Sequence, residues 1–289
     1  MRLREAARRG GLVGIAALLA SCAGGGGGNG SEGGETVQDL TARLAALEAR
    51  QDPEALLEQA ELCERLRRKG GMDAGEALAR GDGCDLRVLG GPARAEQKAA
   101  SARRVAAHFL ERAERPALCR STFTGPIAEP LRRFAMVTAA ARFAEYASRD
   151  LFADALEKLA GLADELADLE ALKPEARERW QRRGRASTLR ASELRSRAGP
   201  WQPGAEALKF CEFGVARHLE EGTRAMDFGT REKAARGDPD RILEWYLQAL
   251  SHLTVARECL ARPTEAELQA LEAQEVAARH VFVEGASSP

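Results

Sequence analysis

What this chain has little of already narrows its class. The N-terminal apolar run, residues 12–20, is nine residues long. A spanning helix needs roughly 20, so that run is not a transmembrane anchor. Aromatic residues make up only 5% of the chain, and strict apolar/polar alternation hardly occurs, which argues against strands. Histidine is sparse: His108, His218, His252 and His280. None belongs to HExxH or has a Cys or carboxylate neighbour at metal-ligand spacing, so no metal or other cofactor is expected. No GxSxG, Walker loop or CxxC occurs. Gly25, Gly27 and Gly30 spell GxGxxG, but no strand precedes them, and the phosphate-binding reading fails.

The chain also lacks an excess of either charge. Its net charge is -1, and the four arginines and one glutamate of the first 21 residues leave the remaining 268 at -4. That balance offers no case for nucleic-acid binding. Asn29 is the only asparagine, and arginine greatly outnumbers lysine. This is the coding bias of a GC-rich genome, so arginine abundance by itself says nothing about function. What remains is rich in Ala, Leu, Glu and Arg, all strong helix formers.

The N-terminus is the most informative segment. Arg2, Arg4, Arg8 and Arg9 precede the apolar run, the layout of a secretory signal peptide. The run ends in Leu19-Ala20-Ser21-Cys22. This resembles the lipobox of bacterial lipoproteins: an aliphatic residue, two small residues, then cysteine. The resemblance implies cleavage before Cys22 and acylation of its thiol and new amino group. Membrane lipid is then a partner, because each buried CH₂ contributes about 0.8 kcal/mol and several chains anchor firmly. Ala23 in the next position, rather than Asp, implies an outer-membrane address facing the periplasm. The glycine-rich residues that follow have no side chains to bury and are expected to form a flexible tether with about 20 Å of reach. The expected organisation is a signal peptide (1–21), a lipidated cysteine with tether (22–34), a helical region (35–198), a C-terminal hairpin region packed on it (204–281) and a tail (282–289).

Helical periodicity fills the rest. Thr36 and Asp39 form a capping-box pattern ahead of Leu40, Leu44 and Leu47. Asp52-Pro53-Glu54 starts a second helix that ends in RLRRKGG. Residues 70–92 read as irregular, with one short helix over 73–80. Further helices are expected over 92–115, over 130–148 (apolar nearly all round, hence central), over 150–170 and over 174–198. After the GPWQPG break, a seventh runs to residue 236. An eighth starts at GDPD, and a ninth starts at the Thr264/Glu267 capping box and fades near Val281. Short breaks between helices imply antiparallel hairpins, so the expected fold is all-α, a bundle or a short α-solenoid.

Three further patterns carry expectations. Residues 150–170 hold seven acids and one lysine, whereas residues 173–197 hold nine cations and three acids. Helices of opposite charge should lie side by side, and the alternative is an anion-binding face built from Arg179, Arg182 and Arg183. The segment GDPDRILEWYLQAL resembles the second helix of a tetratricopeptide repeat, with its Gly-Asp turn, Tyr246 and Ala249. It departs from that pattern at Ile242 and Thr230. Finally, export implies an oxidising compartment, so cysteines should pair. Hairpin geometry about Gly237 favours Cys211 with Cys259, closing a loop of about 49 residues. Such a bridge contributes ~4 kcal/mol on the chain-entropy model. Cys63 with Cys84 is the second candidate pair, which leaves Cys119 single.

Together these features describe a lipid-anchored envelope protein that acts as a non-enzymatic binding or scaffold module for a protein partner. Two alternatives stand beside that reading: an envelope enzyme acting on glycan or lipid through carboxylates, and a structural spacer.

Overall fold

A computed structural model describes residues 35–115, 128–170, 172–260 and 263–284. The signal peptide, Cys22, the tether, residues 116–127 with Cys119, and the last residues of the tail lie outside them. The described residues are all-α. They form eleven helices and no strand: α1 (Val37–Leu47), α2 (Pro53–Arg68), α3 (Ala74–Gly90), α4 (Ala95–Glu114), α5 (Ala128–Ala147), α6 (Arg149–Ala167), α7 (Pro174–Ser196), α8 (Ala205–Cys211), α9 (Val215–Ala234), α10 (Pro239–Cys259) and α11 (Glu265–Glu284).

The starts follow from local chemistry. Thr36 Oγ1 accepts from the Asp39 amide at 3.2 Å while the Asp39 carboxylate accepts from the Thr36 amide at 2.9 Å. The same reciprocal pair joins Thr264 and Glu267 ahead of α11. Asp52 caps α2 with proline in its first turn, where the ring costs no hydrogen bond. The α2 stop is a left-handed glycine: Gly70 has φ 70°, and the Gly71 amide returns to the Leu66 carbonyl at 2.9 Å.

From α1 to α7 each described helix packs against the next. Helix α8 packs on α5, and the main departure from a simple row is α10, which packs on α9, α5, α3 and α11. It thereby brings the C-terminal region onto the first half. Helix α5 is the centre: Phe134, Met136, Val137, Ala140, Phe143 and Ala144 are all buried in the main core cluster. A smaller cluster joins α1 to α2 through Leu40, Leu44, Leu47, Leu62 and Leu66. The many buried alanines let helices approach closely, and the few aromatics fill the remaining gaps. Trp180 of α7, for example, meets Phe134 edge to face at 4.9 Å between ring centroids.

Two expectations need correction. Residues 70–92 are not an irregular segment with a short helix. They hold the 17-residue α3, which runs through Gly81 and Gly83. A Cβ on Gly81 would sit 3.7 Å from the Ala60 carbonyl of α2, and one on Gly83 would sit 3.5 Å from the Cys259 carbonyl of α10. Low helix propensity marked the segment as weak, but both distances are ordinary van der Waals contacts, and the helix is held by tertiary packing of its buried Leu78, Leu86, Val88 and Leu89. The seventh helix is not continuous either. It breaks at residues 212–214 into α8 and α9, with Phe210 and Phe213 turned against two buried histidines of α9 and α10.

Close packing in the α9–α10 hairpin depends on glycine. A Cβ on Gly222 would lie 2.8 Å from the Leu253 side chain and 3.3 Å from the Ala249 carbonyl, whereas one on Gly161 of α6 meets nothing within 4 Å. Gly222→Val should therefore destabilise by about 1–3 kcal/mol through overpacking. Gly161→Ala should stabilise by up to about 1 kcal/mol through helix propensity. Urea denaturation of the two variants checks both signs. Equal effects would mean that the hairpin is looser than described.

Candidate functional site

The largest concentration of buried polar chemistry lies where α2, α3, α4 and α10 meet. Asp82, with no exposed surface, occupies the middle of α3. One carboxylate oxygen bonds His108 Nδ1 at 2.7 Å and the other accepts from Arg112 at 2.6 Å. Arg112 is 1% exposed and lies 3.9 Å from the Glu258 carboxylate of α10, which Arg257 also meets at 3.3 Å. One turn along α3, Asp85 takes a two-pronged contact from Arg104 at 2.6 and 3.1 Å. On the α2 side, Glu64 accepts from Arg67 at 2.7 Å and Arg68 at 2.8 Å, and lies 3.8 Å from His108 Nε2.

The spacing is helical. Asp82 and Asp85 share one face of α3, and Arg104, His108 and Arg112 are four apart on α4, so one stripe of acid meets one stripe of base. Burial disfavours the charged form of His108, but the Asp82 carboxylate outweighs it and the imidazole is held above its usual value. Burial likewise opposes ionisation of Glu64, and the hydrogen bonds from Arg67 and Arg68 overcome it, down to about 2. Burial pushes the Asp85 carboxyl up, partly offset by Arg104.

A buried Asp–His pair is one component of general base catalysis. Here the outer nitrogen of His108 faces the Glu64 carboxylate rather than a hydroxyl or thiol. Asp82, Asp85, Glu64 and Glu258 each contact an arginine. The cluster therefore acts as an internal ion network that fixes four helices. Among the described residues, no three His, Cys, Asp or Glu side chains converge as a metal site. An open groove of about 480 Å³ runs beside α9, lined by Leu219, Glu220, Thr223, Arg224 and Asp227. Near it, exposed Phe228 lies against Trp245, with ring centroids 5.0 Å apart.

A second buried pair joins α9 to α10. His218 Nδ1 and His252 Nδ1 are 2.8 Å apart. Burial and the neighbouring imidazole hold His218 well below its usual value. Burial, with Arg142 and Lys209, brings His252 down to about 4. Sparse histidines without a metal motif gave no sign of either cluster, because their partners come from other helices.

The arginines singled out from sequence face carboxylates. Arg179 and Arg182 both reach Asp240, at 3.4 and 3.5 Å, and Arg183 reaches Glu244 at 3.0 Å. Helices α6 and α7 do lie side by side, and Arg195 bridges Asp154 and Glu157 of α6. For Arg179, Arg182 and Arg183, however, the opposing acids come from the first turns of α10. Neither expected disulfide is present: Cys63, Cys84, Cys211 and Cys259 are free and buried. Cys63 packs against Gly81, while Cys84 meets Gln59, one turn away. Cys211 and Cys259 lie seven residues beyond His218 and His252 on the same hairpin. A continuous helix would bring them opposite, but the break at 212–214 turns Cys211 toward the Arg142 carbonyl. Burial pushes the Cys63 thiol up to about 12 and the Cys211 and Cys259 thiols well above the ordinary value, so these thiols are poor nucleophiles at neutral pH.

Compared with protein-family models, with curated proteins and with solved structures, the chain matches none.

The network predicts a specific vulnerability. Asp82→Ala leaves the Arg112 charge without its closest carboxylate and should cost about 3–5 kcal/mol. Since His108 is held high by Asp82, its contribution is complete below about 6.5 and fades as pH rises through its folded value. Urea titrations at pH 6.5 and 8.5 should therefore show wild type losing more stability across that interval than Asp82→Asn does. An identical pH response in the two proteins would show that the pair carries no linkage.

Proposed function

We propose that this chain is a lipid-anchored scaffold of the cell envelope, with a helical body that binds a protein partner and performs no catalysis. The observation that carries the reading is Leu19-Ala20-Ser21-Cys22, placed between a basic-then-apolar leader and a glycine-rich stretch. Cysteine at that seam supplies the thiol for acylation. The small residues before it give a peptidase access to the backbone. The glycine-rich residues let the body stand off the bilayer. Ala23 favours the outer membrane, facing the periplasm.

The body supports a binding role over an enzymatic one. Its buried carboxylates are engaged by arginines, and the groove beside α9 is open rather than enclosed. Catalytic pockets are usually concave, largely apolar and shielded from water.

Fractionation of the expressing bacterium tests the anchor. The wild-type chain should sediment with membranes and incorporate radiolabelled palmitate. Cys22→Ala should accumulate as unprocessed precursor without label. A variant that remains membrane-bound, with its leader removed as before, overturns lipidation. Crosslinking in intact envelopes followed by affinity recovery should then yield a defined protein partner. Turnover of an envelope substrate with no partner recovered would favour the enzymatic alternative.

A further inference from the structure

The His218–His252 pair has no role in the scaffold reading, and its surroundings make it chemically unusual. His218 has no exposed surface and His252 is 4% exposed. Phe210 lies 4.7 and 4.6 Å from the two rings, and Phe213 lies 5.7 and 5.9 Å away, all between ring centroids. His218 Nε2 is buried without a hydrogen-bond partner. A contact of 2.8 Å between two Nδ1 atoms requires one ring to donate and the other to accept. The accepting ring is therefore neutral, and the donating ring, buried in the same aromatic box, is held neutral by the cost of burying its charge. A proton on the accepting nitrogen removes the acceptor and sets two N–H groups against each other in an aromatic box.

The charged groups around the pair increase that penalty. Those bearing on His252 are Arg142 of α5 and Lys209 of α8. Arg217 of α9 lies over the Phe213 ring at 5.6 Å and is itself paired with Glu220 and Glu221 of α9, at 2.7 and 2.5 Å. The neighbouring carboxylates Glu145 of α5 and Glu206 of α8 are engaged with Arg142, at 3.9 and 3.2 Å. Glu212, in the break, acts on the adjacent Cys211 thiol. A proton arriving at the pair thus meets aromatic rings and the charges of Arg142 and Lys209.

The geometry points to an acid-released clasp: protonation of the His218–His252 pair frees α8 and the start of α9 from α10 and α5, uncovering Phe210 and Phe213. This device goes beyond the scaffold reading and does not depend on the lipid anchor. It would make exposure of an aromatic surface depend on the acidity of the surroundings. The sign follows from linkage. Groups held neutral by burial keep their full contribution above about pH 6.5 and lose it as pH falls. Each imidazole then favours the open form by up to about tenfold per pH unit, and the pair by up to about a hundredfold. Across the α2–α4 cluster the sign is opposite, because a proton on His108 strengthens its bond to Asp82. Opening should therefore be local to the C-terminal hairpin.

Cys211 reports the event. It ends α8, is buried, and lies beside the break. Cys63 and Cys84, on α2 and α3, serve as internal controls. The full chain is treated with 4,4′-dithiodipyridine, which reacts with thiols under acid conditions, at pH 7.5 and 4.5. Labelling is mapped by peptide and normalised to denatured chain at the same pH. Cys211 should become at least about tenfold more reactive at pH 4.5, with Cys63 and Cys84 unchanged. Unchanged Cys211 reactivity, or a parallel rise at all three thiols, overturns the clasp. The double variant His218→Gln, His252→Gln keeps polar groups that do not titrate. Shown to be helical by circular dichroism, it should lose the acid response. If it keeps the response while folded, the clasp is wrong, and if it does not fold, the wild-type measurement decides alone.

Discussion

A carboxylate with no exposed surface, such as Asp82, must be met by charge or hydrogen bonds, since an isolated buried ion costs several kcal/mol. Asp82 is met twice from α4, by His108 and Arg112. Arg112 in turn needs acid, and Glu258 of α10 stands nearby. One buried charge on α3 thus dictates where α4 and α10 must lie. Replacing such a network with apolar side chains often leaves stability unchanged or raises it. Its value is geometric: a shifted register of α3 against α4 would leave Asp82, Asp85, Arg104 and Arg112 facing apolar neighbours.

That requirement is needed because the apolar core is permissive. Buried alanines recur along α5, α6 and α10. Small, similar side chains pack nearly as well in neighbouring registers and specify one arrangement weakly. Aromatic contacts help at particular points, including Phe109 with Phe143 at 6.2 Å and Phe143 with Phe210 at 5.4 Å between centroids. With so few aromatics, charge must specify much of the packing. The outer face repeats the device with lower stakes. Arg133 to Glu165 and Arg195 to Asp154 and Glu157 are half-exposed pairs, each worth little alone.

Legibility from sequence divides along the same line. Features set within one turn of helix could be read directly: the Thr36/Asp39 and Thr264/Glu267 capping boxes, Asp52-Pro53, and the glycine stop after α2. The central position of α5 also followed, because a helix apolar on nearly every face has no side to give to water. Features set by a distant partner could not be read. Gly81 and Gly83 lower the local helix propensity, and the packing of α3 on α2, α4 and α10 that outweighs it is invisible in one sequence. Opposite net charge correctly paired α6 with α7, but not Arg179 and Arg183 with α10, because total charge carries no information about which face points where. The expected disulfide failed for a related reason. It assumed one straight helix, and the chain instead breaks at residues 212–214, where Gly214 starts α9.

Among the described residues, three buried histidines show how one side chain serves two ends in one fold. His108 lies between two carboxylates, at 2.7 and 3.8 Å, and is stabilised when charged. His218 and His252 face each other among phenylalanines and are stabilised when neutral. The difference is not intrinsic to imidazole, whose usual value near 6.5 sits between the two outcomes. It comes from what α3 and α2 present to α4, acid, against what α8 presents to α9 and α10, aromatic carbon and a lysine. The two halves of the molecule therefore respond to protons with opposite sign while sharing one core. A change in acidity acts on them differentially, through α10, the helix that touches both.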